Sequence, residues 1–474
     1  MIEFDIMKKN VLLSLMFILC AAGFSQEFFT EKTPGFKEYV MYAHSYDWGC
    51  GVDFVVCDAG VTINPAELKK EDFSVKVVLT DVEKTDSARG RTQGERSVLE
   101  VFPCDEYGQP LTQASRYFAL KLKTVYEDEF SDLFVRSVFN SKNSIYMLRI
   151  ENRKLKLKVT KLAGIVSPAA EFKIQSITKN GVTIKYASWN PPQQAIDTPL
   201  IIWFHGIAEG GDNPYLPLLG LKATALISEN IQKYFPEGAC VIIPQCPTGW
   251  LETVDTDMFG MRVWAPVDIG GSVNRGVDKA RKFTTGLNFM DESVRNGTYE
   301  VPEDSETNTD PDKKPFAAVS YYTEVAKAMI DSYIARNPYI DTKRIYVGGC
   351  SAGGYMTMNM LIQFPDFFAA GFPVCEAYPD SKITDAQIKK LAELPLWFTH
   401  AKNDETIKIE THDGPTYERI KKAGASDLHY SLFENVIDSD GVEIDGHSSW
   451  AYVLNNQCEE NGITIFEWLS KQKR

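Results

Sequence analysis

The chain has 474 residues, 44% of them hydrophobic and 24% charged. These values fit folded globular proteins and exclude disordered and collagen-like classes. Fifty basic residues against sixty-four acidic ones give a net charge of −14, the wrong sign for holding a polyanion by counterion release, which argues against nucleic acid as a partner.

In chain order, the first element is a leader. Lys8 and Lys9, an apolar run at residues 11–19 and small residues after it have the order of a secretory signal, with cleavage after Ser25. Residues 1–25 are therefore expected to be a signal peptide of a secreted or periplasmic protein. Glu3 and Asp5 are out of place in a positive start, and Met7 offers a cleaner one. The run is shorter than the roughly 18 apolar residues that a membrane span takes, and no later stretch reads as a span. Cys20 offers lipid anchoring as an alternative, which bulky Leu19 before it fits poorly. Nine cysteines less Cys20 leave eight, an even number but too sparse for a disulfide-built scaffold. No CxxC pair is present, so neither a metal nor another cofactor is indicated.

Residues 27–162 show short alternating apolar runs separated by Gly, Pro, Asp and Asn. This pattern predicts an all-β sandwich, immunoglobulin-like, acting as an accessory domain. The small-residue stretch at 163–170 reads as a linker. Residues 171–474 are expected to form an α/β domain. It opens with a hairpin turning at Asn180-Gly181, then near-continuous apolar runs at 199–204, 239–244, 344–347, 370–374, 396–399 and 428–433 alternate with helical stretches. That pattern predicts a mostly parallel central sheet with helices on both faces. An irregular insertion at about 250–315, rich in Gly, Asp, Asn and Thr, interrupts it.

Gly349-Cys350-Ser351-Ala352-Gly353 matches GxSxG. The motif alone is weak, but here an apolar strand leads in and a helical run leads out, the setting of a nucleophile elbow. Glycines are needed where side chains would collide with neighbouring backbone, and the following helix turns its N–H groups toward the point where an oxyanion would form. Upstream, a strand runs into His205-Gly206-Ile207-Ala208-Glu209-Gly210-Gly211. The expected oxyanion donors are the backbone N–H groups of Ala352 and Ile207, with Gly206 as the alternative to Ile207.

The chain has six histidines. The order Ser, acid, His leaves those after Ser351, and His447, in a polar loop past the last strand, is the expected general base. Asp404, just beyond a strand end, is the expected acid, with Glu405 its nearest rival; Asp445 is too close in sequence to face the ring. Trp250, Trp264 and Trp450 flank these segments and are candidate substrate contacts, able to stack on an aryl or sugar group.

The segments PLIIWFHGIAEGGDN (199–213), VIIPQCP (241–247), RIYVGGCSAGGYMTMNMLIQFPDFFAAGFPVC (344–375), LPLWFTHAKNDETI (394–407) and DGHSSW (445–450) carry a family likeness. Together they resemble α/β-hydrolases of the prolyl-oligopeptidase and esterase superfamily, in particular bacterial exported esterases, some with an N-terminal immunoglobulin-like domain. The resemblance implies cleavage of carboxylic esters through an acyl-serine, with Ser351, Asp404 and His447 as the triad. It also implies a small-molecule or polysaccharide-linked ester as substrate, since relatives include feruloyl and acetyl-xylan esterases. A serine peptidase would use the same machinery, and a non-catalytic carbohydrate- or partner-binding protein on a hydrolase body is a third reading. Cys350 departs from the apolar residue frequent at its position, and either a disulfide to Cys375 or a buried free thiol would account for it.

Overall fold

A computed structural model of the chain describes residues 27–81, 91–126, 128–134, 144–193, 195–251 and 319–474. The expected signal peptide with Cys20, and nearly all of the 250–315 insertion with Trp264, lie outside these residues.

The first ten strands are β1 (Phe28–Phe29), β2 (Glu38–Tyr46), β3 (Gly49–Ile63), β4 (Phe73–Asp81), β5 (Arg91–Arg96), β6 (Val98–Cys104), β7 (Ser115–Leu122), β8 (Ser144–Asn152), β9 (Leu157–Val159) and β10 (Lys161–Val166). They form a six-stranded sheet, β1-β10-β2-β3-β7-β6, and a four-stranded one, β5-β4-β8-β9. Inward residues of both, among them Tyr39, Val55, Val77, Phe118 and Leu148, share one buried core, as in a sandwich.

Two of these strands depart from the sequence reading. The stretch expected to begin a linker at residue 163 is part of β10, which pairs in parallel with β2 on one side and β1 on the other. Its small residues fit a strand because pairing and burial of Gly164 and Ile165, not propensity, decide the conformation. Strand β5 carries almost no apolar residue, so nothing in its pattern announces it. Its end is held by Arg96, whose guanidinium is buried and donates to the carbonyls of Val52 (2.9 Å), Lys123 (2.7 Å) and Phe130 (2.9 Å) and to the Tyr146 hydroxyl (2.6 Å).

The second unit has an eight-stranded sheet built from β11 (Lys173–Lys179), β12 (Val182–Trp189), β13 (Thr198–Phe204), β14 (Cys240–Gln245), β15 (Ile340–Cys350), β16 (Ala370–Val374), β17 (Leu396–Ala401) and β18 (Leu428–Phe433). Its order is β11-β12-β14-β13-β15-β16-β17-β18; the first two pairings are antiparallel and the rest parallel. Every residue of β13, β14, β16 and β17 is buried, which is why they read as unbroken apolar runs. Among the described residues the helices are α1 (Tyr215–Leu219), α2 (Glu229–Gln232), α3 (Thr323–Arg336), α4 (Ala352–Gln363), α5 (Asp385–Leu391), α6 (Asp413–Lys422), α7 (Trp450–Leu454) and α8 (Ile465–Lys471). No helix among the described residues is long and apolar enough to cross a membrane.

The two units share packing. Phe28 meets Tyr215 with ring centroids 4.6 Å apart, and one cluster of buried side chains runs from the sandwich into the α/β unit. At its edge Asp47, in the turn between β2 and β3, accepts from Lys222 Nζ (2.8 Å), Asn455 Nδ2 (2.9 Å), Ser439 N (2.8 Å) and Ser439 Oγ (2.6 Å). Burial raises the Asp47 carboxyl, but the Lys222 ammonium and the Ser439 donors outweigh it and hold it below the ordinary value. Asp47→Ala removes four bonds and leaves the partly buried Lys222 ammonium with Asn455 Oδ1 (2.6 Å) but no carboxylate, so the chain should lose about 3 kcal/mol of unfolding free energy, and Asp47→Asn less. Urea titration of both variants against the parent measures this.

Candidate active site

Ser351 stands between β15 and α4 with φ 58° and ψ −119°, a conformation that non-glycine residues rarely adopt. It is held there on both sides: its N–H donates to the Val374 carbonyl and its carbonyl accepts from Tyr355 N, each at 2.9 Å. A Cβ on Gly349 would lie 2.5 Å from the Phe204 carbonyl oxygen, and one on Gly353 would lie 2.0 Å from the same atom. Both glycines of the motif are therefore required by the contact of β15 and α4 with the end of β13.

The turn aims Ser351 at His447. Ser351 Oγ lies 2.8 Å from His447 Nε2, and His447 Nδ1 lies 2.7 Å from Asp404 Oδ2. Asp404 follows β17 in a tight turn where its Oδ1 accepts from the backbone N–H groups of Thr406 (2.7 Å) and Ile407 (2.9 Å). Burial works to raise the Asp404 carboxyl, but hydrogen bonds from His400 and His447 and the His447 charge outweigh it and hold it far below the usual carboxylate range. Glu405, the rival acid, is exposed to solvent. Asp445 accepts from His447 N at 2.8 Å and so caps the turn that carries the histidine.

Ala352 is the first residue of α4, where N–H groups have no partner inside the helix. Ile207 opens the short 3₁₀ turn Ile207–Glu209 beyond β13. Two buried side chains brace that loop. His205 Nε2 accepts from Cys246 N (2.9 Å), so its proton sits on Nδ1 and is donated to the Gly206 carbonyl (2.5 Å). Burial lowers this imidazole to about 4. Glu209 is also buried, which raises its carboxyl to about 8 even though the N–H groups of Glu209 and Gly206 point at it.

Sequence reasoning found Ser351, Asp404 and His447, which the fold brings together, but missed the bracing residues His205 and Glu209. It also missed His400, whose Nε2 lies 3.0 Å from Asp404 Oδ2. One signal was available: three polar residues in otherwise apolar surroundings, which must find partners when buried.

The tryptophans need correction. Trp250 was a candidate substrate contact, yet it is fully buried, edge-on to Phe204 (5.1 Å) and Tyr322 (5.8 Å) and beside His205. Its ring is core under the oxyanion loop. Trp450 does border the site, edge-on to the His447 ring at 5.6 Å, though only 8% exposed. Trp264 lies outside the described residues.

All eight described cysteines are free and buried, so a Cys350–Cys375 disulfide is not formed. Burial pushes both thiols well up. Cys375 Sγ comes within 4.8 Å of the Asp404 and His447 donor atoms. As a metal-ligand set this group is poor, because the thiol is held protonated and the other two atoms bind each other.

Parts of the chain are similar to known proteins. Residues 322–413, which include Ser351 and Asp404, match the prolyl oligopeptidase family model. Residues 38–168 match the esterase Ig-like N-terminal domain. A comparison with the curated proteins found no match. Among solved structures, the crystal structure of a thermostable esterase is similar over 92% of this chain and 100% of its own, at 20% identity and a TM-score of 0.64. Pyrococcus horikoshii acylaminoacyl peptidase is similar over 64% of this chain and 44% of its own, at 12% identity and a TM-score of 0.37. A ferulic acid esterase is similar over 63% of this chain and 97% of its own, at 10% identity and a TM-score of 0.36. The last two likenesses are too slight to build on. The chain thus has the α/β-hydrolase fold preceded by an esterase-type immunoglobulin-like sandwich, and is a serine hydrolase of the esterase or peptidase type.

Two outcomes follow. Gly353→Ala should abolish the native elbow, seen as loss of both activity and cooperative unfolding, because the clashing atom is backbone. Glu209 has its folded value raised from 4.5 to about 8. Its contribution to stability is therefore fully present below about 4.5 and is lost as pH rises to about 8. Glu209→Gln should lose less melting temperature than the parent over that window, measured by thermal unfolding at a series of pH values.

Proposed function

We propose that the chain is an exported serine esterase that cleaves carboxylic esters through an acyl-serine intermediate. The observation that carries the reading is the hydrogen-bonded line from Ser351 Oγ through His447 to Asp404, at 2.8 and 2.7 Å, with Ser351 fixed in the elbow. His447 Nε2 takes the Ser351 proton as Oγ attacks the ester carbonyl carbon, and Asp404 stabilises the imidazolium that forms. The tetrahedral oxyanion is held by the N–H groups of Ala352 and Ile207. Ile207 is preferred to Gly206 because the Gly206 N–H already points at the Glu209 carboxyl group. His447 then protonates the departing alkoxide. Water, activated by the same histidine, attacks the acyl carbon, the acid leaves, and Ser351 regains its proton.

Ester over amide is supported by the esterase-type domain over residues 38–168. The family likeness adds feruloyl or acetyl esters of plant cell walls as the substrate class, and Trp450 beside His447 offers an apolar edge to an aryl or sugar group. Export is supported by the signal-like order of residues 1–25. The prolyl oligopeptidase match over the segment holding Ser351 and Asp404 favours a peptidase as the second reading.

A hydrolysis panel of short acyl esters, feruloyl esters, acetylated xylan and peptide amides tests the choice. Esters should be cleaved, and Ser351→Ala should lower kcat/KM by at least about a thousandfold on each hydrolysed compound. Cleavage of amides alone would establish the peptidase. Asp404→Asn should cost about 10⁴ in kcat, while Glu405→Gln should stay within about twofold of the parent.

A further inference from the structure

His400, on β17, is completely buried and belongs to none of the roles assigned above. Its ring is bracketed by acceptors. Nε2 lies 3.0 Å from Asp404 Oδ2 and 3.2 Å from the Ile407 carbonyl, and Nδ1 lies 2.7 Å from Asp413 Oδ2. A carbonyl cannot donate, so Nε2 must carry a proton. Asp404 already accepts from two backbone N–H groups and, through the same Oδ2, from His447 Nδ1, so it has only acceptor capacity left to offer His400. On the far side, Asp413 Oδ2 also accepts from the Tyr430 hydroxyl at 3.0 Å. A bare Nδ1 lone pair would face an acceptor oxygen at 2.7 Å, which is repulsive in a buried site.

We infer that His400 is a positioning residue of the site, an imidazolium held between Asp404 and Asp413 that orients the Asp404 carboxylate and offsets part of its charge on His447. This rests on the esterase reading only in that Ser351 and His447 do the chemistry.

The surroundings of His400 support the assignment. Beside Asp404 in the turn after β17 and Asp413 at the start of α6, the groups facing it are Tyr430 on β18, Glu376 after β16, His412 before α6, and His447 beyond Asp404. Burial, with the Asp413 charge adding to it, pushes the Glu376 carboxyl well up, and burial first pushes Tyr430 up. Burial, with His400 adding to it, lowers His412. Burial alone would also lower His400, but its bonds to Asp404 and Asp413 and the charges of both outweigh that and raise it to about 10. With His400 as the cation between Asp404 and Asp413, the three together carry a net charge of about −1, the same as a lone triad acid.

That balance makes the role testable. His400→Gln keeps a donor for Asp404 but removes the cation, leaving two carboxylates behind His447, so His447 holds its proton more tightly. The acid limb of kcat/KM should move up by about one pH unit, taking charges several ångströms apart at an effective dielectric near 20–40. His400→Gln combined with Asp413→Asn restores the net charge and should bring the limb back to within about 0.3 unit of the parent. A merely space-filling His400 predicts no shift in the single variant and no recovery in the double one.

Proton–nitrogen NMR of the histidine side chains in the full chain reads the same point without turnover. His400 should stay doubly protonated from about pH 5.5 to 8.5, in the parent and in Ser351→Ala alike, a window centred above an ordinary histidine. A neutral His400 ring at pH 7, or an acid limb in His400→Gln that coincides with the parent, overturns the proposal. Inactivity of the parent on every ester and amide would instead overturn the esterase reading and leave the NMR result to decide the state of His400.

Discussion

The constraint on which the site depends is the contact of the elbow with the carbonyl end of β13. The Phe204 carbonyl oxygen approaches both glycines of the motif so closely that no Cβ fits on either. This contact brings β15 and the start of α4 against the loop that begins at His205. Ser351, Ala352 and Ile207 are thus positioned by one contact. The left-handed φ of Ser351 is the backbone conformation that this geometry demands, and the bonds to Val374 and from Tyr355 hold it. A nucleophile and its oxyanion donors placed by backbone need little further organisation when the reaction starts.

Around that frame the buried polar groups fall into two kinds. On the oxyanion side, His205 and Glu209 are driven toward neutral forms by burial and act as braces. On the acid side, His400 and Asp404 keep charge because each has an opposite partner within hydrogen-bond reach. Neutral braces near a developing oxyanion avoid repelling it, while an anion behind His447 favours the imidazolium. The division matches what ester attack needs at each end of the site.

Much of this was legible in the sequence because short-range physics decides it. The parallel strands announce themselves as unbroken apolar runs since both faces are covered. The elbow announces itself because two glycines are sterically required five residues apart, counting both ends, around a serine. Strand β10 did not, because its conformation comes from β2, a pairing partner distant in the chain, and β5 did not, because it carries almost no apolar residue and is held by its neighbour β4 and by Arg96. Trp250 looked like a substrate platform because it flanks the catalytic segments, yet its environment is set by Phe204 and Tyr322, which the sequence places far from it. His400 was hidden for a related reason: it follows the apolar run at 396–399, but β17 runs on to Ala401, so His400 lies inside a buried strand.

The sandwich is tied to this chemistry through a short path. Asp47 accepts from Ser439 and Asn455, and those residues flank in sequence the turn that carries His447. Ser439 lies in the link between β19 (Val436–Ile437) and β20 (Glu443–Ile444), a small hairpin that leads directly into Asp445, and Asn455 follows α7. A loop that must hold an imidazole within hydrogen-bond reach of both Ser351 and Asp404 gains from being anchored on both sides. In this chain one carboxylate from the sandwich binds both anchors, which ties that unit to the segment carrying the histidine.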